Sequence, residues 1–251
     1  MIEKVSNDIK VYHLKYAAEI KPVIDAIIDG KIILLKLGSV FSFIFNPNIA
    51  DLTDKFNLLK ARQSSQVLSV VCTYEQAKQI VDKERVNDDF FRIPAYFCSR
   101  VIVRIPVDTS SSFPHDKAEG TMQFLSFEEM HPIHRALREE LFARGCEHML
   151  ITSGNIHGAP TIEDLESAKM LATLFNIEAS FLGMSNVETI VADIPECKGI
   201  HKGSYIILSF CNKHAIEVKR LANKVDREVT EKYLKELFAN VHTKTPLEYA
   251  L

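Results

Sequence analysis

The sequence predicts an α/β protein on three observations. Short apolar runs of strand length alternate along the chain with segments of helical apolar periodicity. Neither an internal repeat nor a low-complexity tract interrupts that alternation. The 251 residues, 47% hydrophobic and 25% charged, are an ordinary globular composition with enough chain to bury a core unaided.

The elements follow in order. Residues 17–30 read as a helix whose apolar face is Ile20, Val23, Ile24, Ile27 and Ile28, with Pro22 in the first turns and Gly30 as the stop. Residues 31–37 read as a buried strand, and 41–45 as a second apolar segment. Helical periodicity over 49–59 delivers Lys60 and Arg62 just past its end. A strand over 67–72 leads to Thr73, a cap for a helix containing Ala77, Ile80 and Val81.

Residues 99–106 are strand-like, with Arg100 and Arg104 in an alternating pattern. The polar stretch 108–120 is an exposed loop, either a lid or a solvated insertion. A helix over 132–142 begins at Pro132, and a strand over 147–152 runs straight into a polar turn. A helix over 161–174, strands over 189–194 and 205–210, and charged helical sequence over 213–241 complete the chain.

Several classes are excluded at once. A net charge of −3 gives no global pull toward nucleic acid, so any anion site is local. Five cysteines, odd in number and never in a C-x-x-C pair, fit reduced thiols rather than a disulfide framework or zinc site, and no metal ligands are nominated. The first residues lack an apolar signal-peptide core. The most apolar run, 32–45, is broken by Lys36, Gly38 and two serines and falls short of the roughly 20 residues a membrane span needs. The expected address is the cytoplasm.

Two polar motifs about ninety residues apart carry the chemistry. One is Lys60-Ala61-Arg62; the other is Thr152-Ser153-Gly154-Asn155-Ile156-His157-Gly158. Two cations converging with a hydroxyl and a carboxamide suit phosphate oxygens and a small acyl group. Alone, the first motif reads as solvated charge beyond a helix end, and the second as an ordinary turn.

Read together and in order, the segments resemble the YrdC-like family, which contains the threonylcarbamoyl-adenylate synthases of tRNA modification. Residues 24–35 (IDAIIDGKIILL) resemble the family's opening helix and strand, and 56–70 (FNLLKARQSSQVLSV) its K-x-R segment. Residues 131–141 (HPIHRALREEL) resemble its H-P helix, and 150–161 (LITSGNIHGAPT) its S-A-N strand end. The likeness spans residues 17–210.

The resemblance implies a twisted mixed sheet flanked by helices, with a basic concave cleft. It implies residues 1–212 as a YrdC-like domain, with 213–251 a C-terminal helical extension packed on it. It also implies a protein that forms threonylcarbamoyl-AMP or a related acyl adenylate from ATP, bicarbonate and an amino acid, with Mg2+ accompanying the nucleotide. Lys60, Arg62, Ser153 and Asn155 correspond to the family's polar signature and are the candidate catalytic residues. Ser39, Phe41 and Thr152 are the candidate substrate-binding residues.

The likeness has gaps. Residues 36–43 (KLGSVFSF) stand where the family has P-T-E-T-V-Y-G-L: Ser39 keeps a hydroxyl, while Leu37, Gly38 and Phe41 discard the other polar groups. The P-G-P-x-T segment is reduced to 93–98 (IPAYFC). Residues 124–130 (FLSFEEM), directly before His131, hold no arginine where the family has R-x-P, and 209–211 (SFC) replace the late R-P-G. Arg100 or Arg104 are the candidate substitutes. His157 reads as a surface turn residue, and His131 as shaping its helix terminus. The departures favour an alternative, a catalytically impaired paralogue that binds nucleotide or RNA (tRNA or double-stranded). Either form is a monomer or homodimer.

Overall fold

Strand and helix alternate as the apolar pattern dictates. The computed structural model describes residues 9–61, 68–108, 110–128, 130–156, 158–184, 186–197, 205–220, 234–235 and 247–249. Their strands are β1 (Val11–His13), β2 (Ile32–Leu37), β3 (Val40–Phe45), β4 (Ser69–Val71), β5 (Ile102–Pro106), β6 (Thr121–Leu125), β7 (Met149–Ser153), β8 (Thr189–Asp193), β9 (Ile207–Asn212), β10 (Ala215–Arg220) and β11 (Leu247–Tyr249). The α-helices are α1 (Lys21–Ile28), α2 (Leu52–Leu59), α3 (Tyr74–Ile80), α4 (Pro132–Ala143) and α5 (Leu165–Phe181). Contacts divide the chain into two units, residues 1–64 with 136–199 and residues 65–135 with 200–251.

In the first unit the strands run in the order β1-β8-β2-β3-β7. β8 is parallel to both β1 and β2, while β3 is antiparallel to β2 and β7. The near-continuous apolar runs of β2 and β3 follow from burial on both faces. Leu37 pairs with Val40 across a two-residue turn. Gly38 takes a φ of +60° at the first turn position, where a type II′ hairpin requires a residue without a Cβ. Phe43, Phe56 and Phe175 form an aromatic cluster joining β3, α2 and α5, with Phe43 and Phe175 stacked at 4.7 Å.

In the second unit the order is β4-β6-β5-β9-β10-β11, parallel and antiparallel pairs mixed. Phe90 is its hub, meeting Tyr74, Phe124 and Phe210 edge to face. Thr73 caps α3 as expected: its hydroxyl accepts from the Gln76 amide at 2.9 Å, and the Gln76 side chain returns to the Thr73 amide.

Several elements differ from expectation. α5 starts later than the periodicity implies and runs on to Phe181, with Asp164 capping it through the Ser167 amide. β1 and β6 are strands that the apolar pattern did not predict. The helix expected over 213–241 begins instead with strand β10, antiparallel to β9. Ile216 and Val218 alternate inward, and Asn212 turns the chain by accepting the His214 amide at 2.9 Å. Residues 221–233 and 236–241 of that expected helix lie outside the described residues, as do Arg62 and His157.

Candidate functional site

Helix α2 brings Lys60 to the end of strand β7. The helix closes with backbone bonds from Lys60 and Ala61, and Ala61 adopts a φ of +53°. Left-handed backbone after a helix is usually glycine's place; an alanine there costs roughly 1–2 kcal/mol. That strain sits directly beside the candidate cation, where strained backbone tends to collect.

Lys60 is fully buried. Its ammonium donates to Thr152 Oγ1 at 3.1 Å and to the Ser153 carbonyl oxygen, and lies 5.4 Å from the centre of the Phe43 ring. Ser153 Oγ donates to Asn155 Oδ1 at 2.7 Å, and Asn155 Nδ2 donates to the Ala159 carbonyl. Lys60, Thr152, Ser153 and Asn155 are thus one connected group, with the last three part-exposed at the strand end. Lys60 stands behind them as an internal amine donor, not as a side chain reaching into solvent.

Gly154 is what lets this corner close. Its amide donates to the Phe41 carbonyl at 2.8 Å, and a Cβ placed on it would lie 2.6 Å from that oxygen and 2.9 Å from Leu34 Cδ1. The loop beyond is stitched back: the Ile162 amide donates to Gly154, and the Phe41 amide to Ile162.

A second corner lies at the β2–β3 hairpin. Lys36 and Phe41 are cross-strand partners, and the ammonium sits 4.7 Å from the centre of the Phe41 ring. It donates to the Ser39 carbonyl at 3.3 Å and to the Glu163 carbonyl. Partial burial pulls its pKa below the ordinary lysine range, against the opposing pull of Asp193, Cys197, Glu163 and Asp164. The Gly38 amide donates to Cys197 Sγ at 3.0 Å, and burial pushes that thiol's pKa up.

The expected site residues are therefore distributed unevenly. Lys60, Thr152, Ser153 and Asn155 converge. Phe41 is fully buried, its ring covered by Lys36 and its main chain holding Gly154. Ser39 lies in the hairpin turn, where its carbonyl receives Lys36. Arg104 is committed elsewhere, to Thr121 Oγ1 and Glu119, and Arg100 lies over Tyr96. Sequence reasoning missed Lys36, Phe43 and Ala61; the one available signal was the single charge of Lys36 inside an apolar run.

A mixed α/β architecture with a lysine–hydroxyl–carboxamide corner at a strand end defines a class of protein. The Sua5/YciO/YrdC family profile, described as telomere recombination, matches residues 25–182, and the chain belongs to that family. No curated protein matches it in sequence. Among solved structures it is similar to P. abyssi Sua5 complexed with L-threonine (16% identity, TM-score 0.61, 92% of this chain and 62% of that one). It is also similar to E. coli YciO (13%, TM-score 0.58, 86% and 96%). A third likeness is to full-length HypF in a phosphate- and nucleotide-bound form (21%, TM-score 0.57, 80% and 28%). At these identities the likeness is one of fold, and the chain spans less than two thirds of the Sua5 chains it matches. Among the described residues no helix is long and apolar enough to cross a membrane.

Proposed function

We propose that this chain binds ATP and forms a carbamoyl-type adenylate, in the manner of a threonylcarbamoyl-AMP synthase serving tRNA modification. The observation that carries this reading is the buried Lys60 ammonium held on Thr152 and Ser153 beside a strained Ala61. A fixed cation in a low-dielectric surround acts strongly on charge that develops nearby. In the proposed step an N-carboxylated amine attacks the α-phosphate, its carboxylate oxygen forms the new P–O bond, and pyrophosphate leaves. Ser153 and Asn155 would hydrogen-bond phosphoryl or carbamate oxygens, Thr152 would orient them, and Lys60 would offset the growing negative charge. Arg62 would add a second cation. Among the described residues no group of three or more His, Cys, Asp or Glu could hold a metal ion. Mg2+ would accompany the nucleotide substrate, coordinated by its phosphates.

One observation favours a second reading, a catalytically silent member that retains nucleotide or RNA binding. The hairpin expected to receive the amino acid is a tight turn, and Lys36 covers Phe41 there. A chain cation at this corner would oppose a substrate ammonium.

Pyrophosphate release from ATP with bicarbonate and a panel of amino acids and simple amines separates the readings. The enzyme reading expects amine-dependent release that falls at least a hundredfold in Ser153→Ala/Asn155→Ala. Measurable ATP binding with no release for any amine would instead establish the silent reading. Absence of ATP binding would reject the enzyme reading and nucleotide binding alike, leaving only RNA as a ligand for the silent member.

A further inference from the structure

Helix α5 carries an apolar stripe that its own fold leaves uncovered. Its inner face is Ala168, Leu171, Ala172, Phe175 and Ala179, all buried. Its outer face presents Met170, Leu174, Ile177 and Phe181 at 67%, 53%, 43% and 89% exposure. At 100° per residue these four fall within an arc of roughly 60°. Their 4-3-4 spacing is that of the seam between two helices packed in a left-handed pair.

We propose that this stripe is a self-association surface, pairing α5 with the same helix of a second copy in antiparallel register about a two-fold axis. That register sets Leu174 against the partner's Ile177 and Phe181 against the partner's Met170. Aliphatic side chains thus meet at the centre, and a large ring meets a flexible thioether at each end. The stripe is self-complementary, as an isologous contact requires. Its flanks do not oppose the pairing. Ser167, Thr173 and Ser180 border it, and the nearest charges, Glu166 and Glu178, meet no like charge across the axis. Glu166 is also already paired with Lys169.

The area is consistent with a reversible dimer. The exposed fractions amount to roughly 500 Å² per copy, so a symmetric pair buries about 1,000 Å², the lower limit for a specific interface. Other occupants fit less well. A lipid surface would call for Lys and Arg along the helix flanks, whereas α5 has one lysine and two glutamates.

Sedimentation equilibrium of the full chain from about 1 to 200 μM, a span that covers weak and transient pairs, tests this directly. The expected result is a monomer–dimer equilibrium between 28.4 kDa and about 57 kDa, twice the chain mass. Leu174→Glu and Phe181→Glu, both at exposed positions, are expected to raise the dissociation constant at least tenfold while leaving the circular dichroism spectrum and unfolding midpoint unchanged. A monomer across the whole range overturns the proposal. So does a dimer that both variants leave intact. Cosedimentation of the monomer with phosphatidylserine vesicles, lost in both variants, would overturn it in favour of a lipid surface.

Discussion

Two lysines in the same unit lie over two phenylalanines of one strand. Phe41 and Phe43 are two residues apart on β3; Lys36 covers the first, and Lys60 the second. Both ammonium groups donate to main-chain carbonyls. They differ in surroundings. Lys60 is enclosed and backs a part-exposed row of Thr152, Ser153 and Asn155, whereas Lys36 is half-buried at a hairpin turn lined by carbonyls. The first corner joins the buried Lys60 amine to part-exposed hydroxyl and carboxamide groups. The second is already a satisfied cation site. The same pair of residue types thus leaves part-exposed polar groups at one corner and fills the other with the chain itself.

Breaking the junction between the corners should have the largest effect. Gly154→Ala forces a Cβ against the Phe41 carbonyl, a main-chain atom with little room to yield. We expect a loss of about 2–3 kcal/mol in denaturant unfolding. An unchanged midpoint would mean that β3 and β7 need not approach so closely.

Lys60→Met keeps much of the side-chain volume but removes the donor to Thr152 and Ser153. The expected cost is about 1–3 kcal/mol, together with loss of any thermal stabilisation by ATP. Lys36→Met, at a half-exposed position, should cost less than about 1 kcal/mol. If the order of these two costs reverses, the contrast drawn between the lysines is wrong.

Ala61→Gly relieves the left-handed backbone beside Lys60 and should stabilise the fold by about 1 kcal/mol, read by the same unfolding measurement. If ATP binding weakens as the fold gains stability, the strain positions Lys60.

The smallest effect concerns pH. His148, just before β7, has its imidazole pKa pushed below the ordinary range by burial. The unfolded chain takes up a proton near pH 6.5 that the fold resists. Its contribution is therefore present above that pH and declines as the pH falls below it. The unfolding midpoint should drop between about pH 7 and 5, with a shallower slope in His148→Gln. Equal slopes would assign the drop to other groups.

Much of this was legible in the sequence because burial on both faces leaves a plain mark. β2, β3, α2 and β7 are runs whose apolar pattern admits few alternatives, and the two polar motifs stand at their ends. The convergence of Lys60 with Ser153 depends on β3 pairing with β7, a contact between distant segments that local pattern cannot report. The resemblance to a known family supplied it. β10 was misread because Ile216 and Val218 fit a short strand as well as the start of a drifting helical face. The roles of Lys36 and Ala61 were hidden for a different reason. A cross-strand cation–ring contact and a left-handed alanine are consequences of the assembled backbone, with no motif of their own.

The most direct test is the affinity for ATP, by titration calorimetry, of the parent chain, of Ser153→Ala/Asn155→Ala and of Lys36→Ala. The account predicts that the double variant binds at least tenfold more weakly while Lys36→Ala binds as the parent does. Undiminished binding by the double variant, with loss in Lys36→Ala, would contradict it and move the nucleotide site to the hairpin.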